Sequence, residues 1–466
     1  MGCMECFRKQ QRINELEWKL EQSEAKVRSL ERTTKEGLFG SATPSSKLPV
    51  KGNSLEERQA LKGGAPFGHA GHGRGAVSPE QASRIEEVRA KAQTCPDCGA
   101  ALHSEGPRQR TVTDLRPVET AKVLYRLERK VCPKCGRRVE AKPPGTLQRS
   151  LYSNSFLSYV AEQHYLWGTP LGRIEQQTGV GIGALIAGQK RLAGLLAPVV
   201  EKLVEQYRRS PVKHADETGW RTDGRNGYAW LFATRAMSIF RFRQSRSSAV
   251  AAEVFGKKRL PGVLVVDRYN AYNKAPVALQ YCLAHLKRDV DDLTRQFPDQ
   301  DEVAAFVESL SPLLAEAMGL RALRLPRKEF DRRAANLKRR IIAVVRRPSI
   351  HPAIQRMQDI FHLNRKRIYH WARDPAIPAE NNLAERDLRP LVIARKVSFG
   401  SQSEAGALTR ETLMTILHTL RKCRGASGVA PALKAALNQI AEDPSTDTWT
   451  ALFGTNPPKP ASTDHE

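Results

Sequence analysis

A run of four aliphatic residues, Val263–Val266, constrains the fold of this chain more than any other segment. A strand that is apolar at every position is covered on both faces, so it belongs in the middle of a sheet with helices around it. Upstream, residues 212–218, 228–234 and 238–243 have the composition of short strands separated by turn residues, which predicts a three-stranded antiparallel meander. A helix is predicted at 248–255, between the meander and the apolar strand.

The order of three strands, a helix, a buried strand and a further helix (residues 284–296) is that of an RNase H-like core. In that fold Asp216, within the first strand, and Asp267, at the end of the fourth, lie side by side. Burying a carboxylate in a strand is costly unless a cation offsets its charge, and a divalent metal would do so. Glu217 and Asp223 are the alternative acids. Glu217 points to the opposite face of the strand and Asp223 belongs to a turn, so both rank lower.

The best candidate for a third metal ligand is Glu385. Residues 381–390 predict a helix on which Asn382, Glu385, Arg386 and Arg389 share one face. A single acid among cations predicts a metal ligand set in a phosphate-binding surface. The alternative is a solvated charged face, and the two strand aspartates favour the metal site over it.

The charge of the chain points to a polyanionic partner. Lys and Arg number 75 against 49 Asp and Glu, a net charge of +26 in 466 residues. Such a surplus attracts nucleic acid. Hydrophobic residues make up 40%, enough to build cores. No uncharged apolar stretch approaches the roughly 18 residues of a membrane span, and the N-terminus lacks the apolar run of a secretory signal. We therefore expect a soluble, cytoplasmic protein.

The eight cysteines predict metal binding. They are the pairs Cys3/Cys6, Cys95/Cys98 and Cys132/Cys135, and the isolated Cys282 and Cys423. The second and third pairs are matched Cys-x-x-Cys-Gly knuckles joined by a segment, 108–131, of hairpin composition, which predicts a zinc ribbon rather than free thiols. With four thiolate ligands the zinc would be structural. The first pair could complete a site only across a dimer.

Taken together, these segments predict a multidomain α+β protein. Its parts are a short coiled coil (8–36), a flexible basic linker (37–90), the zinc ribbon (91–147), a helix-turn-helix-like DNA-binding domain (151–208), the RNase H-like core (210–296 and 379–440), a helical insertion (297–378) and a tail (441–466). The coiled coil could instead be one amphipathic helix lying on its own protein. The recognition helix of the DNA-binding domain is glycine-rich and charged only at Lys190 and Arg191, so an ordinary helical hairpin is the alternative there.

Four ordered motifs resemble the transposases of the insertion sequence 66 family. They lie at residues 214–220, 267–272, 282–289 and 381–401. The Gly-Gly-x-Pro-x-Gly-His element at 63–69, the paired knuckles and the helical segment before the core match the layout of that family as well. The resemblance thus covers nearly the whole chain.

The resemblance implies a D-D-E transposase with Asp216, Asp267 and Glu385 as the metal-binding triad. Oxygen ligands point to Mg²⁺ or Mn²⁺ as the cofactor, beside the structural Zn²⁺. Cys282 and His285 are similar to a Cys-x-x-His element of several such transposases. We expect His285 to contact DNA near the cut, with a core histidine as the alternative. The residues expected to hold phosphates are Arg268, Arg386, Arg389, Arg395 and Lys396.

The implied partners are the terminal inverted repeats of the element and a target DNA. We also expect a homodimer or higher oligomer, and helper proteins of the same element are candidate partners. Two other functions fit part of the sequence: a non-catalytic zinc-ribbon DNA-binding protein such as a repressor, and an RNase H-like nuclease without strand transfer. Metal-dependent nicking of DNA is expected of a transposase but not of a repressor. Joining of a cut end to a second DNA is expected of a transposase but not of a nuclease.

Overall fold

A five-stranded sheet formed by the middle of the chain organises the computed structural model. The structure describes residues 12–13, 16–24, 79–81, 85, 94, 96–101, 103, 119–135 and 137–460. The chain divides into two units, Pro49–Thr120 and the remainder. Cys3, Cys6, Cys95, most of the predicted coiled coil and nearly all of the predicted linker lie outside the described residues. Of the coiled-coil segment, residues 12–13 and 16–24 are helical.

The strands of the sheet are β3 (Val212–Thr222), β4 (Arg225–Ala233), β5 (Ser238–Arg243), β6 (Val263–Val266) and β7 (Ala278–Tyr281), and they follow a short hairpin of β1 (Arg129–Val131) and β2 (Arg138–Glu140). The order in the sheet is β5-β4-β3-β6-β7. The first three strands are antiparallel, as predicted, whereas β6 and β7 run parallel to β3. Every residue of β6 is buried, which agrees with its predicted cover on both faces. The sequence did not predict β7.

Thirteen α-helices lie within residues 137–460. They are α1 (Asn154–Ala161), α2 (Leu171–Thr178), α3 (Ile182–Arg209), α4 (Ser248–Phe255), α5 (Leu283–Gln296), α6 (Asp301–Gly319), α7 (Arg327–Val345), α8 (Pro352–Leu363), α9 (Arg365–Ile368), α10 (Asn382–Ser398), α11 (Glu404–Arg424), α12 (Val429–Glu442) and α13 (Thr448–Phe453). A 3₁₀ turn, Asn270–Lys274, follows β6. The result is a mixed α/β protein in which α10, α11 and α3 pack around the sheet.

The helix α11 covers the free edge of the sheet. On the edge strand β5, three alternate backbone N–H groups donate to α11 side chains four residues apart: Ser238 to Thr419, Phe240 to Thr415 and Phe242 to Glu411, at 3.0–3.2 Å. Two strand residues advance about 6.8 Å and four helical residues about 6 Å, so the two spacings match. An edge that would otherwise invite pairing with another chain is thereby closed.

The helices α2 and α3 meet in a sharp turn. Gly179 ends α2 in the left-handed conformation, and the two helices are bent by 110° relative to each other, the angle of a helix-turn-helix. A small separate core of Val160, Ile174 and Leu185 holds the turn. The helix α3 extends to Arg209, because its apolar positions keep the helical period up to Tyr207 and pack on the main core.

One helical stretch, Asp301–Leu323, is long and apolar enough to cross a membrane by length and composition alone. Within the protein it packs against α5 and α7, and most of its apolar side chains, Phe306 and Leu310 among them, are buried. Those buried side chains belong to the main hydrophobic core.

Candidate active site

The two predicted aspartates lie on adjacent parallel segments in the interior of the sheet, Asp216 within β3 and Asp267 directly after β6. The parallel ladder of β3 and β6 pairs Val212 with Val263 and His214 with Val265, a constant offset of 51 residues. Continued by two residues, that register sets Asp216 opposite Asp267, on strands spaced about 4.8 Å apart. Each carboxylate accepts a nearby backbone N–H at 2.9 Å, Asp216 from Glu217 and Asp267 from Tyr269. The local backbone thus fixes both side chains.

The electrostatics of Asp216 show that acids gather around it. Burial raises the pKa of Asp216 well above its usual value, and the carboxylates of Glu217, Asp267 and Glu385 raise it further. The coupling brings the predicted third acid into the same neighbourhood as the two aspartates. Holding Asp216 ionised there is unfavourable without a cation, and this supplies a physical reason for metal binding.

Glu385 lies in the first turn of α10, and Asn381 fixes that end of the helix to the sheet. The Asn381 amide donates to the carbonyl of Ala215 at 2.9 Å, and its oxygen lies 2.9 Å from Nδ1 of His214. Its backbone N–H donates to Cys282 Sγ at 3.2 Å. Burial lowers the pKa of His214 to about 4, so its ring is neutral and can donate to Asn381. Sequence reasoning did not single out Asn381, although it belongs to the last motif.

The carboxylate of Glu217, the alternative acid, is hydrogen-bonded to other side chains of the protein. Its side chain is buried, with one oxygen accepting from Arg246 at 2.6 Å and the other from the Tyr272 hydroxyl at 2.6 Å. The Arg246 guanidinium also stacks on Tyr269, 3.9 Å from the ring centre. Burial raises the pKa of Glu217, and the charge of Asp267 adds to this effect. Glu217 therefore adds negative charge beneath the site while its own oxygens are already bonded.

The predicted phosphate-binding cations fall into two groups. Arg386, Arg389 and Lys396 are exposed along α10. The Arg395 guanidinium instead donates to the hydroxyl of Thr218 and the carbonyl of Gly219 in β3, and a methyl group on Gly219 would lie 3.3 Å from it. It therefore acts as a strut between helix and sheet.

Other predicted DNA contacts also have protein partners. Arg268 forms an ion pair with Asp289. On α3, Lys190 is exposed, and Arg191 donates to the carbonyls of Arg149 and Gln148. Of these residues, Lys190 presents its charge most directly to solvent.

His285 stands beside Glu385. Both lie within the group formed by Cys282 Sγ, a ring nitrogen of His285 and a carboxylate oxygen of Glu385, atoms that are within 4.8 Å of one another. This is the one group of at least three candidate metal-ligating residues with such spacing among the described residues. The carboxylates of Asp216, Asp267 and Glu385 are spread more widely. Two ions 3.5–4 Å apart, each about 2.1 Å from its ligands, would require a wider arrangement of that kind.

The predicted zinc ligands are described in part. Cys132 and Cys135 lie at the turn between β1 and β2, and backbone N–H groups of Cys135 and Lys134 lower the pKa of the Cys132 thiol. In the other unit, Cys98 lies in a turn closed by a bridge between Thr94 and Ala101. Of the predicted hairpin at 108–131, only 119–131 is described, and its strand, β1, pairs across the second knuckle with β2.

Comparison with known proteins identifies the family. A model described as the transposase IS66 family matches residues 149–409, more than half of the chain and the whole of the site above. The chain belongs to this transposase family. The match begins just before α1 and ends within α11, so it includes α2 and α3, the sheet, and the helices between β7 and α10.

Two relatives from Sinorhizobium fredii (strain NBRC 101917 / NGR234) are similar to this transposase. "Uncharacterized protein y4qI" is 27% identical over 345 residues, which cover 64% of this chain and 62% of the relative. "Uncharacterized protein y4jD" is 23% identical over 377 residues, which cover 72% of each. The chain thus spans less than two thirds of the first relative.

Proposed function

We propose that this transposase cuts and joins DNA with a D-D-E centre in which Asp216, Asp267 and Glu385 hold two divalent cations. The observation that carries the proposal is the shared register of the two aspartates on adjacent parallel strands, together with the electrostatic coupling of Glu385 to Asp216. The strand order and the position of these acids support an RNase H-like core with an inserted helical region between Asp267 and Glu385.

The ligand set fits Mg²⁺ or Mn²⁺. Carboxylate oxygens are hard ligands, and the raised pKa of Asp216 reflects first its burial and then repulsion from the neighbouring acids, both of which a cation would offset. When bound, such a pair of ions would activate a water on one side of a phosphodiester and stabilise the departing 3′ oxygen on the other.

Side chains around the metal-binding triad hold the DNA and fix α10 to the sheet. Arg386, Arg389 and Lys396 hold the DNA backbone along the exposed face of α10, in line with Glu385. Asn381 and the Arg395 strut fix α10 against β3. His285 reaches DNA near the cut, and Arg268, paired with Asp289, borders the same region.

DNA ends are bound by the segments before the core. The 110° turn between α2 and α3 supports a helix-turn-helix with Lys190 exposed on its second helix. A structural Zn²⁺ held by Cys95, Cys98, Cys132 and Cys135 fits the knuckle turn, since backbone amides there already favour the Cys132 thiolate. We further propose that the protein acts in the cytoplasm as a dimer or higher oligomer, through the N-terminal helix, on element ends and target DNA.

The deciding experiment compares isosteric variants on DNA that carries the element's own ends, found as inverted repeats flanking the gene. Asp216→Asn, Asp267→Asn and Glu385→Gln are each expected to lower Mg²⁺-dependent release of 3′-OH ends by about a thousandfold or more, the equivalent of roughly 4 kcal/mol of lost barrier stabilisation. Binding to the same DNA remains within about twofold of wild type, because those side chains carry no phosphate contact. Glu205→Gln, an exposed acid on α3, is the control.

Two further readouts separate the alternatives. Mg²⁺ should raise the melting temperature of wild type, while Asp216→Asn should show little such response. Joining of a released end to a second DNA distinguishes a transposase from a nuclease. Full cleavage by any of the three variants would refute the triad, and tight end binding with no metal-dependent nicking by wild type would favour the repressor.

A further inference from the structure

We propose that Cys282, His285 and Glu385 form a second metal site, selective for a thiophilic cation such as Zn²⁺, that competes with the Mg²⁺ site for Glu385. The binding site itself stands on the geometry below. Inhibition of DNA cleavage by an ion bound there rests on the function proposed above.

The three ligands come from two elements that are bonded to each other. Cys282 immediately precedes α5, and His285 follows in the first turn, so both project from the same end of that helix. Glu385 comes from the first turn of α10. The hydrogen bond from the Asn381 backbone to Cys282 Sγ, at 3.2 Å, joins the starts of the two helices. The candidate ligand atoms already lie within 4.8 Å of one another.

The surroundings of the sulfur suit a metal thiolate. Cys282 is fully buried, its sulfur accepts the backbone N–H of Asn381, and the nearby backbone amides of His285 and Ala284 lower the pKa of the thiol against the larger effect of burial. Amide donors of this kind stabilise negative charge on a ligating sulfur. In the absence of a cation, burial holds the pKa of the Cys282 thiol at about 12. Metal binding would therefore release the thiol proton to solvent.

His285 adds an independent indication. Its Nδ1 atom is buried and has no hydrogen-bond partner among the described residues. Buried polar atoms are nearly always satisfied, so an unpartnered ring nitrogen next to a thiol and a carboxylate suggests that a ligand is missing from its surroundings. A core histidine would instead be expected to bond a neighbouring carbonyl or hydroxyl.

The chemistry of the three donors selects the ion. One sulfur, one imidazole and one carboxylate with a fourth position open is a ligand set for Zn²⁺, whereas Mg²⁺ takes oxygen ligands. Metal–ligand bonds of about 2.0–2.3 Å place tetrahedral ligands roughly 3.5 Å apart, so closing the site from separations within 4.8 Å needs a contraction of at most about 1.3 Å. Glu385 bound in this way cannot complete the Mg²⁺ site.

The test uses the full-length protein with its cysteine ribbon first loaded with Zn²⁺ and then titrated with Co²⁺. Wild type is expected to bind one further ion per chain, with a sulfur-to-cobalt charge-transfer band. Cys282→Ala should lose the band and bind that ion at least tenfold more weakly. The matched control is Cys423→Ala, the other isolated cysteine, which should behave as wild type. Wild type and the two variants share every other cysteine, so a difference between them is due to position 282 or 423.

A band that persists in Cys282→Ala, or that wild type never shows, would overturn the site. If Cys282→Ala does not fold, as judged by circular dichroism, His285→Ala must weaken Co²⁺ binding at least tenfold, and unchanged affinity there would equally overturn it. Zn²⁺ should also slow Mg²⁺-supported cleavage by wild type at least tenfold, and should slow His285→Ala far less relative to its own zinc-free rate. A wild type that binds Co²⁺ through Cys282 but never cleaves DNA would refute the proposed function and leave the metal site standing.

Discussion

Asn381 is expected to be the residue on which the position of Glu385 depends most. Replacing it with alanine removes two side-chain hydrogen bonds of 2.9 Å, one to the Ala215 carbonyl and one with His214. Asn381 is only 1% exposed and both partners are buried, so water cannot readily replace the lost amide. Each lost bond costs about 1 kcal/mol, and a buried group left unpaired costs about 1–3 kcal/mol. Together they predict a loss of about 2–4 kcal/mol in the free energy of unfolding.

The same change frees the start of α10 from β3. We therefore expect Asn381→Ala to lower DNA cleavage more than its loss of stability alone would, with end-DNA binding retained, because Glu385 is mispositioned while the exposed cations of α10 remain. Unfolding in urea gives the stability, and cleavage is measured well below the unfolding midpoint.

The neighbouring Asn382, which is exposed, supplies the matched control. Asn382→Ala should change stability and cleavage little. The reasoning would be refuted if Asn381→Ala cost less than about 0.5 kcal/mol, or if it cleaved DNA as wild type does.

Two other predictions concern pH and salt. Burial lowers the pKa values of His164, His214 and His418 from 6.5 to about 4, so each takes up a proton on unfolding between these pH values, and stability is lost as the pH falls from 6.5 towards 4. His418→Gln should reduce the pH slope of the unfolding free energy there by about 1.4 kcal/mol per pH unit, and an unchanged slope would contradict the assignment. Lys396→Ala should reduce the slope of log binding constant against log salt for DNA by about 0.9, if Lys396 contacts a phosphate, while Lys434→Ala, on α12, should not.

The features that the sequence predicted well are those set by local pattern. The apolar run Val263–Val266 could only be a covered strand, and Asp267 follows it directly. The order of the elements also predicts Asp216 beside Asp267, and the structure makes β3 and β6 adjacent parallel strands. The position of Glu385 could be predicted because the spacing of the cations defines one helical face.

The features that the sequence missed depend on contacts between distant segments. β7 has a mixed composition, and only its pairing with β6 makes Ala278–Tyr281 a strand. In the sequence, Arg395 resembles any other surface cation. In the structure its guanidinium lies against Gly219, where the lack of a side chain leaves room for it. Nothing in the local sequence shows that Arg395 contacts the sheet while its neighbour Lys396 is exposed.

The closeness of Cys282 and His285 to Glu385 has the same origin. The two helix starts are 99 residues apart in sequence and meet because Asn381 bonds both to β3 and to Cys282. In the two proposals the carboxylate of Glu385 therefore serves two ligand sets, one of oxygens only and one that includes sulfur and nitrogen. Because Zn²⁺ binds mixed ligand sets much more tightly than Mg²⁺ does, free cation levels, and not affinity alone, would decide which set Glu385 joins. If the proposed second site is correct, the bond from Asn381 to Cys282 both positions Glu385 for catalysis and brings it within reach of the competing ion.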